Sequence, residues 1–241
     1  MPLFSLHWRE IMKTSETKKT SISVVAVNLN EEHTIKEVLT NIPSYADEVL
    51  IIDGYSKDNS PKIAKELGFS VILQEGKGRG AAFKTGFKHA QGELIVMLST
   101  DGNERSGDID KLIKKMNEGY DLVIATRFGQ GKSHDITPIR KFGNWALTYT
   151  VNLASGLSII DSQNGFRAIR KDALDKMHIE ANGFDIEAEM VVKAGKLGLR
   201  VAEIPTIEDE RVFGVSHLNT FRDGFWIFKR IIKEWMRNPP Y

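Results

Sequence analysis

A short polar turn at residues 99–103 has the residue types of a metal site. It follows an apolar run, and Asp101 is the only acid within it. Magnesium and manganese prefer carboxylate and phosphate oxygens and keep coordination positions open for substrate. We therefore expect Asp101 to hold Mg²⁺ or Mn²⁺, with Asn103 as a further ligand. The alternative is an aspartate that only caps the turn.

Four arginines in separate parts of the chain have the chemistry to bind phosphate: Arg127, Arg140, Arg167 and Arg211. The planar guanidinium group matches phosphate oxygens with two parallel hydrogen bonds. The four can act together only if the fold brings them together, and the alternative for each is a solvated salt bridge at the surface. Arg167 could instead pair with Asp161 or Glu189 and brace the site.

The elements that must position these side chains are indicated by alternating apolar and helical patterns. Apolar, β-branched runs predict strands at 23–27, 48–53, 71–73, 93–98 and 122–125. Helical spacing predicts helices at 34–39, 60–68, 81–90 and 108–118. Beyond residue 127 the pattern predicts helices at 139–153 and 185–197 and strands at 166–169 and 201–204.

This alternation predicts an α/β fold with a doubly wound, mostly parallel sheet, helices on both faces and an elaborated C-terminal region. Ligands of such sheets bind in the crevice beyond the carboxyl ends of the strands. Polar residues follow the predicted strands at Asn28, Asn30, Glu31, Asp53, 99–103 and Arg127. We therefore expect these residues to form one site.

Composition limits the classes of function. The 241 residues suffice for one sizeable core, and 33 basic against 32 acidic residues leave no overall charge to attract nucleic acid. The absence of cysteine excludes disulfides and a cysteine nucleophile and fits a reducing compartment, so we expect a cytoplasmic protein. No apolar run approaches the roughly 18 to 20 residues that cross a bilayer, which predicts a soluble or peripheral protein.

Eight motifs occur in a fixed order: NLNEEHTI, IIDGYSKDNS, GKGRGAAFKTGFKHAQGE, IVMLSTDGN, DLVIATRF, DSQNGFRAIRKDAL, IEAEMVVKAGKLGLRVAEIP and ERVFGVSH. Together they resemble family 2 glycosyltransferases over about residues 23–218. Within that family they are most similar to dolichyl-phosphate mannose synthases and other polyprenyl-phosphate sugar transferases. A single motif of this kind is weak evidence for the family, whereas eight motifs in the same order are specific to it.

The resemblance implies a GT-A type fold and inverting transfer of a sugar from a UDP- or GDP-linked donor to a dolichyl- or undecaprenyl-type phosphate. It also implies that a divalent cation on Asp101 neutralises the diphosphate. Relatives usually carry two acids around this turn, whereas Ser99 stands in the place of the first acid here.

On the nucleotide side, Glu31 and Asp53 match positions that contact the base and ribose in relatives, and Asn30 lies in the same motif. The alternative for both acids is stabilisation of a helix N-terminus. The glycines of loop 76–80 are spaced like a phosphate cradle, but a dinucleotide-binding motif would follow the first strand, and this loop follows the third. We expect a flexible loop beside the nucleotide, with Lys77 in contact.

On the acceptor side, the arginines that match Arg127 and Arg140 serve the acceptor phosphate in relatives. The one that matches Arg211 serves phosphate groups near the reaction centre. Further substrate contacts are expected from Asn144, Arg167, Ser216 and His217, the last in place of the family's usual lysine.

Three other functions are alternatives. A hydroxyl acceptor would need Asp161 or Glu189 as a general base, whereas a phosphate acceptor is already ionised at neutral pH. A catalytically weak homologue could bind a nucleotide-sugar or a membrane partner as a scaffold, and Ser99 is its main support. A sugar-nucleotide pyrophosphorylase is disfavoured because its glycine- and arginine-rich first loop is missing.

The domain organisation is expected to comprise a flexible arm at residues 1–20, a glycosyltransferase domain at 21–220, and a basic amphipathic helix and tail at 221–241. In the last segment an apolar stripe is formed by Phe221, Phe225, Phe228, Ile232 and Trp235. Around it lie Arg222, Lys229, Arg230, Lys233 and Arg237. Such a helix can pack its stripe on its own domain or lie in a membrane interface. The second interpretation predicts peripheral contact at the cytoplasmic face of a membrane.

Overall fold

The structure, a computed structural model, describes residues 20–134, 136–210 and 219–241. The strands of this part of the chain, numbered in order, are β1 (Ile22–Asn28), β2 (Glu48–Asp53), β3 (Ser70–Leu73), β4 (Leu94–Ser99), β5 (Leu122–Thr126), β6 (Lys132–Ser133), β7 (Arg167–Arg170), β8 (Val201–Pro205) and β9 (Ile207–Glu208). Its helices are α1 (Ile35–Thr40), α2 (Ser60–Glu66), α3 (Arg79–His89), α4 (Ile109–Met116), α5 (Pro138–Ser155), α6 (Lys171–Met177), α7 (Ile186–Lys196) and α8 (Thr220–Met236).

One seven-stranded sheet has the order β3-β2-β1-β4-β7-β5-β8. The pairs β3·β2, β2·β1, β1·β4 and β5·β8 are parallel. Strand β7 lies antiparallel between β4 and β5. The predicted mostly parallel sheet is therefore confirmed, with one antiparallel strand inserted in it.

The core lies on both faces of this sheet. On β1, Val25 and Val27 belong to one apolar cluster, whereas Val24 and Ala26 belong to the other. The first cluster includes side chains of α3, α5, α7 and α8, and the second includes side chains of α1, α2 and α4. Every residue of β1 is buried, as expected for a parallel strand covered on both sides.

The predicted strands and helices are present within a few residues of their expected bounds. Helix α6 and the short pair β6 and β9 were not predicted from the sequence. Seven residues in α6 and two in each of these strands are too few to establish a periodic pattern.

Local sequence explains where helix α5 begins and ends. The Thr137 hydroxyl accepts a hydrogen bond from the Arg140 backbone N–H, and Pro138 occupies the first turn. Gly156, with a φ of 72°, follows the last turn in the left-handed conformation that favours glycine. These signals fix the helix that carries Arg140 and Asn144.

The C-terminal helix α8 packs against α5 and α7, but not through the expected apolar stripe. Its buried face contains Asp223, Ile227, Ile231 and Glu234. The exposed aromatic residues of the helix are Phe221, Phe225, Trp226, Phe228 and Trp235. The interpretation that the stripe packs on the domain is therefore wrong, although the helix itself is docked. The domain boundary at residue 220 stays a prediction.

Among the described residues, no helix combines the length and apolar character needed to span a membrane. Residues 1–19 of the predicted arm lie outside the described residues, as do three candidate site residues, Arg211, Ser216 and His217.

Candidate active site

Two cavities open beyond the carboxyl ends of the parallel strands. Cavity A, of about 530 Å³, is lined by the residues that follow β1, β2, β3 and β4. Cavity B, of about 220 Å³, lies among the ends of β4 and β5 and helices α5 and α8. The two cavities share Arg79, Asp101 and Phe184. The sheet therefore brings two potential binding sites together at one junction.

Two of the expected nucleotide residues, Glu31 and Lys77, line cavity A. Asp53 does not, because it is buried and its carboxylate accepts hydrogen bonds from the Asn28 amide at 2.8 Å and the Ser56 hydroxyl at 2.6 Å. Asn30 is exposed, and its side-chain oxygen accepts the Lys57 N–H at 2.7 Å. Both side chains shape the loops beside the cavity, and their expected contact with the nucleotide stays a prediction.

The glycine-rich loop is held against the segment 181–183. The Gly80 N–H donates to the Gly183 carbonyl at 3.2 Å, and the Ala81 N–H donates to the Asn182 carbonyl at 3.1 Å. A Cβ at Gly80 would lie 2.6 Å from the Ala181 carbonyl oxygen. Glycine is required at position 80 for this close backbone packing, whereas the flexibility of the preceding loop stays a prediction.

The turn after β4 has oxygen donors suited to a hard cation. Asp101 lines both cavities, and its carboxylate also accepts the Asn103 N–H at 3.2 Å. Asn103 is buried and lines cavity B. Carboxylate and amide oxygens are ligands that Mg²⁺ and Mn²⁺ accept, so these two residues fit such an ion.

A second acidic group fits an ion less well. Within the described part of the chain, one set of three acids lies close enough to share an ion: Glu180, Glu189 and Glu234. The Lys193 ammonium is 2.7 Å from Glu189, and Arg230 is 3.3 Å from Glu234. These cations already balance the charge of the acids, and none of the three acids lines cavity A or B.

Arg79, which was not predicted from the sequence as a site residue, lies where the two cavities meet. Its Nε donates to the Glu187 carboxylate at 3.0 Å, and its Nη2 lies 3.8 Å from Glu104. Burial alone would lower the pKa of Arg79, but the charges of Glu187 and Glu104 outweigh it and raise the pKa. Burial also raises the pKa of Glu104 to about 7, against the opposing effect of Arg79. The one signal in the sequence is an arginine inside a glycine-rich loop.

Cavity B brings together Asp101, Asn103, Arg127, Arg140 and Asn144. Arg127 binds Asp161 with two hydrogen bonds, of 2.7 Å from Nε and 3.0 Å from Nη2, and its Nη1 is 3.2 Å from Glu208. Asn144 donates to the same Asp161 carboxylate at 3.3 Å. Arg140 reaches the Thr220 hydroxyl of α8 at 3.4 Å.

Asp161 is completely buried beneath this cavity. Burial would raise its pKa, but the charge of Arg127 and its hydrogen bonds lower it. Glu189, the other acid considered as a base, is also completely buried and accepts the Ala181 N–H at 2.7 Å. Neither acid lines cavity A or cavity B. The general-base role considered for these two acids is therefore not supported by their positions.

The position of Arg167 favours the bracing role over contact with a substrate. Its side chain is completely buried and lines neither cavity. The guanidinium donates to the backbone carbonyls of Asn164 at 3.1 Å and Glu187 at 3.2 Å rather than pairing with Asp161 or Glu189. It braces the segment behind the site and does not reach a substrate from this position.

The fold is similar to that of a solved enzyme structure that contains a nucleoside diphosphate. Glucosyl-3-phosphoglycerate synthase from Mycobacterium tuberculosis, solved with Mn²⁺, uridine-diphosphate and phosphoglyceric acid, matches with a TM-score of 0.74. The match has 20% identity and covers 92% of this chain and 80% of that chain. This likeness shows the fold, which is the GT-A type expected from the sequence.

The family follows from the sequence. Glycosyl transferase family 2 matches residues 23–177. Glycosyltransferase AglJ of Haloferax volcanii is 30% identical over 226 residues, which cover 91% of this chain and 74% of AglJ. The dolichyl-phosphate hexose transferase of the same organism is 30% identical over 215 residues, which cover 88% of this chain and 92% of that transferase. The chain belongs to glycosyl transferase family 2 and is a glycosyltransferase.

Proposed function

We propose that this glycosyltransferase transfers a sugar from a UDP- or GDP-linked donor to the phosphate of a polyprenyl phosphate, with inversion at the anomeric carbon. The observation that carries the proposal is the meeting of cavities A and B at Asp101, with Arg127 and Arg140 on the wall of cavity B. Relatives named for dolichyl-phosphate or undecaprenyl-phosphate transfer support the class of acceptor.

Cavity A is the proposed donor site. Glu31 and Lys77 contact the nucleotide, and the diphosphate extends towards Asp101. Asp101 and Asn103 would hold Mg²⁺ or Mn²⁺, which when bound neutralises the charge of the departing nucleoside diphosphate. The complex of a related fold with Mn²⁺ and uridine-diphosphate supports this arrangement.

Cavity B is the proposed acceptor site. Arg140 orients the acceptor phosphate, together with the Nη1 side of Arg127, while Asn144 and Asp161 keep Arg127 in place. A phosphate monoester is already ionised at neutral pH, so its oxygen can attack without a general base. Attack from the face opposite to the leaving group inverts the anomeric carbon, and positioning supplies much of the rate.

A membrane surface is the proposed location of the acceptor's polyprenyl chain, at the cytoplasmic face. Helix α5 exposes one stripe of Ile139, Phe142, Trp145, Tyr149 and Leu153, in which the rings of Trp145 and its neighbours stack. Helix α8, which packs on α5, exposes its own aromatic stripe. Aromatic side chains of this kind favour the interface between lipid and water.

The test is a panel of UDP- and GDP-sugars incubated with a short polyprenyl phosphate and Mn²⁺, with products identified by mass. We expect one donor to give a polyprenyl-phosphate sugar and free nucleoside diphosphate in equal amounts. Binding of a nucleotide-sugar without any product in the panel would favour the scaffold alternative.

A hydroxyl acceptor is a second candidate, favoured by the carboxylates of Glu187 and Glu208 on the wall of cavity B. Both carboxylates are engaged by arginines, Glu187 with Arg79 and Glu208 with Arg127. Transfer to a soluble sugar, with none to polyprenyl phosphate, would favour this candidate.

A further inference from the structure

Arg79 is the one basic side chain that lines both cavities among the residues that the structure describes. Its side chain is 17% exposed, and that exposure faces the two cavities which it helps to line. A cation that is largely shielded from water acts strongly on nearby charge, because little water screens it.

The surroundings of Arg79 hold its guanidinium in one position. Glu187, whose side chain is 4% exposed, accepts the Nε–H, and the ring of Phe83 lies 5.0 Å from the guanidinium carbon. A Cβ at Gly165 would collide with Nη2, so glycine at that position leaves the space that Arg79 occupies. A fixed cation needs little rearrangement when charge develops beside it.

We propose that Arg79 binds the β-phosphate of the donor and stabilises the leaving group, with Glu187 as the residue that positions it. This inference rests on the proposed transfer reaction. In that step the acceptor phosphate oxygen forms a bond to the anomeric carbon while the bond from this carbon to the β-phosphate oxygen breaks. The electron pair stays on the β-phosphate, beside the guanidinium, and no proton moves.

A purely structural role is the competing explanation, because Arg79 also neutralises Glu187. Arg79→Met alone cannot separate the two, since it leaves a buried carboxylate without its cation. The double variant Arg79→Met with Glu187→Gln removes both charges together. A structural role predicts that the double variant recovers stability and ligand binding, whereas a role at the β-phosphate predicts recovery of stability alone.

The experiment measures the affinity of nucleoside diphosphate against monophosphate by calorimetric titration with Mn²⁺, using UDP with UMP and GDP with GMP. The melting temperature of each variant is measured in parallel. For the pair that wild type binds, we expect both Arg79 variants to lose about tenfold or more in diphosphate affinity, the scale of a lost charge-assisted hydrogen bond. The affinity for the monophosphate should change by less than about threefold, because a monophosphate has no β-phosphate for Arg79 to bind. Arg200→Met, at an exposed arginine that lines neither cavity, should change neither affinity.

Equal losses for both phosphates, or recovery of diphosphate affinity in the double variant, would overturn the role of Arg79. Failure of wild type to bind any of the four nucleotides would instead overturn the proposed function, and the inference about Arg79 with it.

Discussion

At the scale of single residues, Asp101 lies on the wall that the two cavities share. The resemblance to the family implies two acids in this turn, and Ser99, whose backbone N–H donates to Glu104 at 2.6 Å, stands in the place of the first. The charge available to a cation at this turn therefore depends strongly on the carboxylate of Asp101.

Asp101→Asn should abolish sugar transfer, because a neutral amide holds a dication against water much less well than a carboxylate does. Product formation and Mn²⁺ affinity are both measured. Asp172→Asn is the matched control, since that aspartate is exposed on α6. Near-normal Mn²⁺-dependent transfer by Asp101→Asn would remove Asp101 from the metal site.

Arg140→Ala should raise the KM for polyprenyl phosphate while donor affinity stays near that of wild type. A lost hydrogen bond to a charged group costs about 1.5 to 3 kcal/mol, which corresponds to roughly 10- to 150-fold. Lys141→Ala, at the next residue of the same helix and outside cavity B, is the control. An equal loss of donor affinity would contradict the assignment to the acceptor.

A substitution of Arg127 tests acceptor binding less cleanly than the sequence suggested, because it would also affect stability. Removal of Arg127 would leave the buried Asp161 carboxylate without a cation, at a cost on the order of 3 to 5 kcal/mol in stability. The resemblance to the family predicted that Arg127 and Arg140 lie at one site. It could not predict the partners of Arg127, because Asp161 and Glu208 come from distant parts of the chain.

At the scale of elements, the docking of α8 depends on ion pairs as well as apolar contacts. Glu180 accepts hydrogen bonds from Lys233 and from Arg237, and Arg230 bonds to Asp185 at 2.8 Å. Three of the five basic residues around the predicted apolar stripe are therefore in ion pairs with the domain. Residue spacing alone predicted an amphipathic helix. It could not show that α8 packs on the domain through the face whose charged side chains form ion pairs.

Glu180→Gln should lower the melting temperature at neutral pH, and this decrease relative to wild type should become smaller at acidic pH. Hydrogen bonds from Lys233 and Arg237 lower the pKa of Glu180 from 4.5 to about 2. A carboxyl group with a lowered pKa in the folded state stabilises that state above its ordinary pKa, and this contribution is lost as the pH falls towards about 2. Melting temperatures of the variant and wild type across this range provide the measurement.

The matched control for this change is Glu66→Gln, at an exposed carboxylate 3.8 Å from Lys62. We expect this control to have little effect at any pH. A difference between Glu180→Gln and wild type that stays constant as the pH falls below 4.5 would contradict the role of the Glu180 ion pairs.

Phe225→Ser combined with Trp235→Ser should weaken co-sedimentation with lipid vesicles and leave the melting temperature nearly unchanged, because both side chains are exposed. Ile231→Ser is the contrasting variant: its side chain is completely buried, and loss of such a side chain costs about 2 to 5 kcal/mol. Wild type that never sediments with vesicles would contradict the proposed membrane contact.

The ion pairs of α8 also change the expected effect of salt on this binding. The sequence suggested five basic residues available to an anionic surface, which predicts a strong decrease with salt. Because Arg230, Lys233 and Arg237 pair with acids of the domain, we expect binding to depend mainly on the aromatic residues and only weakly on salt. Co-sedimentation with anionic vesicles over a salt series measures this dependence.

At the scale of the whole molecule, the fold was predictable because apolar runs and helical segments alternate strictly up to β5. That pattern leaves little choice but a parallel sheet, and a parallel sheet places the polar residues after its strands at one edge. Arg79 and Glu187 could not be predicted in the same way, because they lie far apart in the sequence, at the starts of α3 and α7, and no local pattern shows that these helix starts meet.

The most direct test of the account compares two acceptors with the same short polyprenyl chain, one ending in a phosphate and the other in the free alcohol. Each is incubated with the donor selected from the panel and Mn²⁺, and the product is identified by mass and by the NMR coupling of its anomeric proton. We predict transfer to the phosphate alone, with the anomeric configuration opposite to that of the donor. Transfer to the alcohol, or a product that retains the donor configuration, would contradict the proposed reaction.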